Sequence, residues 1–77
     1  MKRSRLEIML SILKAAENGA NKAKVVRNAN LNFAAASKYL DFLYEGGFIS
    51  LDKDIYTTTK KGLEYIEKLE EISIKEF

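Results

Sequence analysis

Four cationic residues lie within residues 22–38 of the sequence, namely Lys22, Lys24, Arg27 and Lys38. Ammonium and guanidinium groups bind phosphate oxygens through charge-assisted hydrogen bonds. Residues 1–38 hold eight bases and two acids (+6), whereas residues 39–77 hold five bases and nine acids (−4). This asymmetry predicts a phosphate-binding surface on the first half, with ordinary solubilising charge as the alternative interpretation.

Other chemistry has few side chains to perform it. The sequence contains no cysteine and no histidine, which excludes disulfides, thiolate nucleophiles, imidazole bases and the usual zinc ligands. The acidic pair Glu70 and Glu71 is expected on a solvated face, and no glycine-rich phosphate loop accompanies it. The sequence therefore predicts neither an enzyme nor a bound metal or other cofactor.

Chain length and composition favour one small domain over residues 1–77. Nearly half of the 77 residues are apolar, which is enough for one modest core. Arg5, Glu7 and Ser11 interrupt the apolar amino-terminal segment, so it resembles neither a signal peptide nor a membrane span. We expect a soluble, cytoplasmic protein without a membrane partner.

Apolar residues recur with helical spacing over about 4–17, 21–28 and 32–45. The first of these helices is apolar around most of its circumference, so we expect it at the centre of the packing. Asn21 and Asn32 are positioned as N-caps, and glycines follow the first and third helices. The predicted core arc of the third helix contains Phe33, Ala36, Tyr39, Leu40, Leu43 and Tyr44.

A hairpin and a last helix complete the plan. Residues 48–51 and 55–58 are rich in β-branched and aromatic types and flank the turn-forming Asp52-Lys53-Asp54. Thr59 can cap a helix over 60–77. The fold class is mainly α with a small β-hairpin, in the order α-α-α-β-β-α of a winged helix-turn-helix, with a short extra strand between the first two helices as an option.

In a helix-turn-helix the N-terminal part of the second helix of the motif approaches base edges in the major groove of DNA. The residues expected nearest the bases are Asn32, Ala34, Ala35, Ser37 and Lys38, with Lys22, Lys24 and Arg27 on the supporting helix and Lys53 at the wing. Only Asn32 offers the forked donor and acceptor needed for bidentate base contacts. Low sequence specificity is the prediction, with a weak contribution from Lys53 because two aspartates flank it.

The apolar residues of the last helix form two adjoining groups. One contains Leu63, Ile66, Ile74 and Phe77, and the other contains Tyr65, Leu69 and Ile72. One group could cover the first helix while the second contacts the same helix of another copy. We therefore predict a homodimer with an interface at Tyr65, Leu69 and Ile72; the alternative is that both groups complete a monomer core.

Three stretches carry a resemblance to a known family: LSILKAAENGANKAKVV, NLNFxxxxKYLDFLxxGGFI and YxTTxKGLEYIEKL. Over about residues 5–72 the chain resembles the archaeal winged helix-turn-helix transcriptional regulators of the ArnR-like type, which are similar to small dimeric chromatin-associated proteins of crenarchaea. The resemblance implies binding to double-stranded DNA, a nucleoid-associated location, no enzymatic activity and dimerisation through residues 60–77. Asn32, Ser37 and Lys38 match the exposed part of the recognition helix, and Lys22 and Lys24 match its supporting helix.

The same architecture also serves in protein assemblies. The alanine-rich helix face and the acidic wing would then form a docking surface for another protein. A winged-helix interaction module without DNA binding is therefore the alternative function.

Overall fold

The computed structural model describes residues 4–75, with side chains for residues 4–71. Its elements are α1 (Arg5–Ala15), α2 (Lys22–Ala29), α3 (Phe33–Glu45), β1 (Ile49–Asp52), β2 (Ile55–Thr58) and α4 (Lys60–Lys75). The predicted order α-α-α-β-β-α is confirmed, and within the described residues no predicted end differs from the observed one by more than two residues.

Short polar side chains begin each helix by accepting an otherwise unpaired backbone N–H. Ser4 accepts from Glu7 at 3.1 Å and initiates α1. The predicted caps are confirmed: Asn21 Oδ1 and Asn32 Oδ1 accept at the starts of α2 and α3, and Thr59 Oγ1 accepts from the Gly62 amide at 3.1 Å.

The core forms around α1, as its nearly continuous apolar circumference predicts. Ile12, Leu13 and Ala16 are completely buried. The other helices, β1 and Ala20 of the α1–α2 connection surround them. The buried apolar residues of those helices and of β1 are Val25, Ala29, Ala36, Leu40, Leu43, Ile49, Ile66 and Leu69.

The hairpin is antiparallel, with Ile49 paired to Thr58, and it joins the helices through β2. Lys53 and Asp54 both have positive φ values, 46° and 68°, as a two-residue hairpin turn requires. On the other edge of β2, Ala20 and Tyr56 exchange backbone hydrogen bonds of 2.9 and 2.8 Å. The extra strand considered between the first two helices is therefore observed only as a single β-bridge, between Ala20 and Tyr56.

Two members of the predicted core arc of α3 lie outside the core. Phe33 is 57% exposed and Tyr44 is 51% exposed, whereas Ala36, Leu40 and Leu43 are buried. Phe33 and Tyr44 occupy the first and last turns of α3. Helical periodicity gives the direction of a side chain but not whether a neighbouring element covers it, so the prediction was wrong for Phe33 and Tyr44.

Helix α4 buries one residue from each of its two predicted apolar groups, Ile66 and Leu69. Leu63 was expected beside Ile66 but is 45% exposed. The side chains of Ile72 and Ile74, and all of Phe77, lie outside the described residues. Across residues 4–75, no helix is both long and apolar enough to cross a bilayer.

Candidate nucleic-acid interface

A left-handed residue sets the angle between α2 and α3. Asn30 ends α2 with φ 55° and ψ 52°, a conformation that asparagine tolerates better than most residues. The Leu31 amide then donates to the Val26 carbonyl at 3.0 Å, which satisfies the end of α2. Two residues later Asn32 starts α3, so the first turns of both helices lie in one helix-turn-helix unit.

One hydrogen bond connects the two helices across this unit. Lys22 Nζ donates to Ser37 Oγ at 2.9 Å, and both side chains are half-buried. The bond holds the Lys22 ammonium against the exposed side of α3. The structure therefore brings two predicted site residues, Lys22 and Ser37, into contact. Ser37 positions the Lys22 ammonium.

The remaining predicted cations of this unit are exposed. Lys24 and Arg27 lie on α2, Lys38 lies on α3, and none of the three has an acidic partner among the described residues. The first turns of α2 and α3 contain no acid. Lysines near a helix N-terminus are repelled by the helix dipole unless an anion is present, so this unit is electrostatically suited to an anion.

The side chain of Asn32 is not free to make a bidentate base contact. Its Oδ1 accepts the Ala35 amide at 2.7 Å, and that oxygen is one of the two atoms that a bidentate contact with adenine needs. Ala34 is exposed and Ala35 is half-exposed, and both can offer only methyl contacts. The surface of α3 thus allows close approach but carries few groups that distinguish bases.

The tip of the hairpin brings Lys53 between the exposed Asp52 and Asp54, as predicted. Lys53 is the single cation in the hairpin sequence, residues 49–58. Two carboxylates beside one ammonium give this tip a net negative charge. It is therefore poorly suited to phosphate.

Lys61 lies in the first turn of α4, where the helix dipole disfavours a cation, and its charge is satisfied by contacts inside the protein. Lys61 Nζ donates to the Gly46 carbonyl at 2.7 Å and lies 4.7 Å from the centre of the Phe48 ring. Gly46 caps the C-terminus of α3, which carries partial negative charge. The ammonium thus stabilises the C-terminal end of α3, and no external anion is needed there.

The predicted dimer residues have different surroundings. Tyr65 is half-buried and stacks on Phe48, with ring centres 4.6 Å apart. Leu69 is only 2% exposed, because it belongs to the core of its own protomer. The Ile72 side chain lies outside the described residues.

Sequence reasoning missed a groove between α1 and α3. It has a volume of about 380 Å³ and is lined by Arg5, Met9, Lys38, Tyr39 and Phe42. Phe42, which was not part of the predicted core arc, is 57% exposed there. The signal available in the sequence was a large apolar residue outside the core arc of its helix.

The family model described as winged helix-turn-helix matches residues 2–76. The chain belongs to the winged helix-turn-helix family. The resemblance inferred from the sequence is thereby confirmed at the level of the family and the fold.

Two curated relatives come from Methanocaldococcus jannaschii. The uncharacterized protein MJ0290 is 36% identical over 73 residues, which are 94% of this winged helix-turn-helix chain but only 35% of the relative. The uncharacterized protein MJ0287 is 35% identical over 72 residues, covering 92% of this chain and 74% of the relative. The chain spans about a third of the first relative's length and about three quarters of the second's.

Among solved structures, Sso10a-2, a DNA-binding protein from Sulfolobus solfataricus, is 37% identical with a TM-score of 0.85, over 96% of this chain and 83% of that one. BpsR of Bordetella bronchiseptica, whose DNA binding is regulated by 6-hydroxynicotinic acid, is 14% identical with a TM-score of 0.79, over 96% of this chain and 57% of that one. The BpsR similarity concerns the fold alone.

Proposed function

We propose that this winged helix-turn-helix chain binds double-stranded DNA through α2 and the N-terminal half of α3. The carrying observation is that Lys22, Lys24 and Lys38 lie in the first two turns of two Asn-capped helices whose first turns contain no acid, with Arg27 in the last turn of α2. Backbone N–H groups and cations at such starts bind phosphate. The 37% identity to a DNA-binding protein of Sulfolobus solfataricus supports the same function.

Binding is proposed to have modest sequence specificity. Phosphate contacts position a protein on a duplex, whereas base-edge contacts distinguish sequences. The exposed N-terminal surface of α3 offers Ala34, the half-exposed Ala35 and an asparagine whose oxygen is already used as a cap. A transcriptional regulator with a loose site, or a chromatin-associated factor at the nucleoid, fits this surface.

We propose that the chain acts as a homodimer through α4. Tyr65 keeps part of its ring accessible beside Phe48, and the sequence places Ile72 two turns further on the same side. Because Leu69 is buried in its own protomer, the proposed interface uses Tyr65 and Ile72 without it. Pairing two copies would double the phosphate contacts on one duplex. Light scattering after size-exclusion chromatography should give twice the 8.8 kDa chain mass, and 8.8 kDa at tens of micromolar would contradict the dimer.

Two double variants with the same change in net charge test the DNA surface. Lys24→Ala/Lys38→Ala removes two exposed cations of the proposed surface, and Lys60→Ala/Lys68→Ala removes two exposed cations of α4. The first should weaken binding to all duplexes alike and reduce the log–log salt slope by about 1.8, at about 0.9 per phosphate contact. The second should alter the slope far less. Equal effects of the two would contradict the proposed surface.

Exposed apolar side chains favour the alternative function, a protein-interaction module. Phe33 and Tyr44 on α3 and Leu51 and Ile55 on the hairpin are each more than 40% exposed. Exposed apolar side chains of this kind would serve as anchors in a contact with another protein. The absence of any DNA binding at low salt would leave this alternative as the function.

A further inference from the structure

We propose that the groove between α1 and α3 binds a small aromatic carboxylate, and that this ligand competes with DNA for Lys38. The groove belongs to neither of the surfaces proposed above, although Lys38 lies at the border of one of them. The competition rests on the proposed DNA binding, whereas the binding of the carboxylate does not.

The lining of the groove specifies the ligand's chemistry. Met9, Tyr39 and Phe42 form apolar and aromatic walls, and Arg5 and Lys38 supply two positive charges. No lining residue is acidic, and neither cation has an ion pair within the described part of the chain. Such a site favours a flat apolar ring that carries one negative group.

The walls of the groove remain accessible among the side chains of residues 4–71. Phe42 is 57% exposed and Tyr39 is half-buried, so a ring stacked on them would remove apolar surface from water. The volume of about 380 Å³ lies at the lower end of the range of small-molecule pockets. A molecule of one or two rings matches it better than a peptide or a cofactor would.

Lys38 links this groove to the proposed DNA surface. It is exposed on α3, six residues after the Asn32 cap, where it is proposed to contact a phosphate. A carboxylate bound between Lys38 and Arg5 would withdraw that ammonium from DNA. Ligand binding and DNA binding would then weaken each other by the same factor.

The binding test uses the whole chain without DNA. 2-Naphthoate is titrated into ¹⁵N-labelled protein, with uncharged 2-naphthamide as the matched ligand. Saturable shifts of the amides at Arg5, Met9, Tyr39 and Phe42, with a dissociation constant of about 1 mM or below, are expected for naphthoate. Naphthamide should bind about tenfold more weakly, because it lacks the charge-assisted contacts. Equal binding of the two ligands, or no saturable binding of naphthoate, would overturn the proposal.

Single-residue variants test whether the ligand binds in the groove. Phe42→Ala and Lys38→Gln should each weaken naphthoate binding about fivefold or more. Phe33→Ala, which removes an equally exposed ring elsewhere on α3, and Lys60→Gln, which removes an exposed charge on α4, should change it by less than about twofold. Unchanged binding by Phe42→Ala and Lys38→Gln would mean that naphthoate binds elsewhere, which contradicts the proposal. All four substitutions are at exposed positions, and the amide spectrum verifies that each variant is folded.

The competition is measured separately, by adding naphthoate and then naphthamide to a complex with labelled duplex. Naphthoate should raise the apparent dissociation constant for DNA, and naphthamide should not. Naphthoate bound to both free and DNA-bound protein with equal affinity would refute the competition. Failure of the protein to bind any duplex would refute the proposed function and would leave the result of the titration without DNA intact.

Discussion

Lys22 of α2 donates a hydrogen bond to Ser37 of α3 across 2.9 Å. This contact fixes a long cationic side chain that would otherwise lose conformational freedom on binding a phosphate. It also ties the supporting helix to the proposed recognition helix. The bond therefore connects the geometry of the helix-turn-helix with the strength of its proposed DNA contact.

Ser37→Ala should weaken both DNA binding and the fold. The substitution releases Lys22, so we expect a two- to fivefold loss of affinity from the extra ordering cost and about 0.5–1.5 kcal/mol less stability. Urea unfolding and duplex titration measure the two effects. Ser50→Ala, which removes an exposed hydroxyl bonded to the Thr57 carbonyl, is the control with normal affinity. Unchanged affinity of the Ser37 variant would mean that the position of Lys22 does not matter for DNA.

Asn32 is predicted to act as a helix cap and not as a base-specific contact. Asn32→Ser keeps a capping oxygen, so stability and DNA affinity should both stay close to those of the parent, whereas Asn32→Ala should cost about 1 kcal/mol of unfolding free energy. Thermal unfolding and titrations with two duplexes check both variants. A loss of affinity for one duplex but not for the other in the serine variant would instead assign Asn32 a base contact.

Thr58 of the hairpin supplies a hydrogen-bond donor to the C-terminal end of α1. Its hydroxyl donates to the Leu13 carbonyl at 2.6 Å, while the Glu17 amide that could otherwise serve this carbonyl bonds to Lys14. Thr58→Val keeps the shape but leaves a buried carbonyl without this donor, so we expect a loss of about 1–3 kcal/mol in urea unfolding. Thr57→Val, at the neighbouring half-exposed position, should cost less. Equal stability of the two variants would contradict this role of Thr58.

Neutralising the acids of the wing should tighten DNA binding. Asn replaces Asp54 without strain, because asparagine tolerates the positive φ of 68° found there. Asp52→Asn/Asp54→Asn should raise affinity about two- to tenfold at low salt if the tip lies near phosphate. Glu67→Gln/Glu71→Gln on α4 has the same charge change and should have a smaller effect. Identical effects would indicate that only net charge matters and that the wing lies away from the duplex.

Local signals predicted most of this fold. Capping side chains at Asn21, Asn32 and Thr59 and the turn at Lys53 and Asp54 act within a few residues, so their spacing alone located the element ends. Exposure was harder to predict. Phe33 belongs to the predicted core arc of α3, yet it is 57% exposed.

Contacts between residues far apart in the chain could not be predicted from the sequence. The bond from Lys61 to the Gly46 carbonyl joins α4 to the end of α3, and the one from Lys22 to Ser37 joins two helices. The groove beside Phe42 likewise depends on how α1 lies against α3. The sequence predicted the cationic surface, and Lys24, Arg27 and Lys38 are exposed, but it could not predict that Lys22 is half-buried against Ser37.

Duplex titration by fluorescence anisotropy, with two unrelated sequences at two salt concentrations, tests the proposed DNA binding most directly. Four phosphate contacts per protomer predict a log–log salt slope of about −3.6 for each protomer bound, and affinities for the two duplexes within about threefold of each other. No binding at the lower salt concentration, or binding with a slope near zero, would contradict the account.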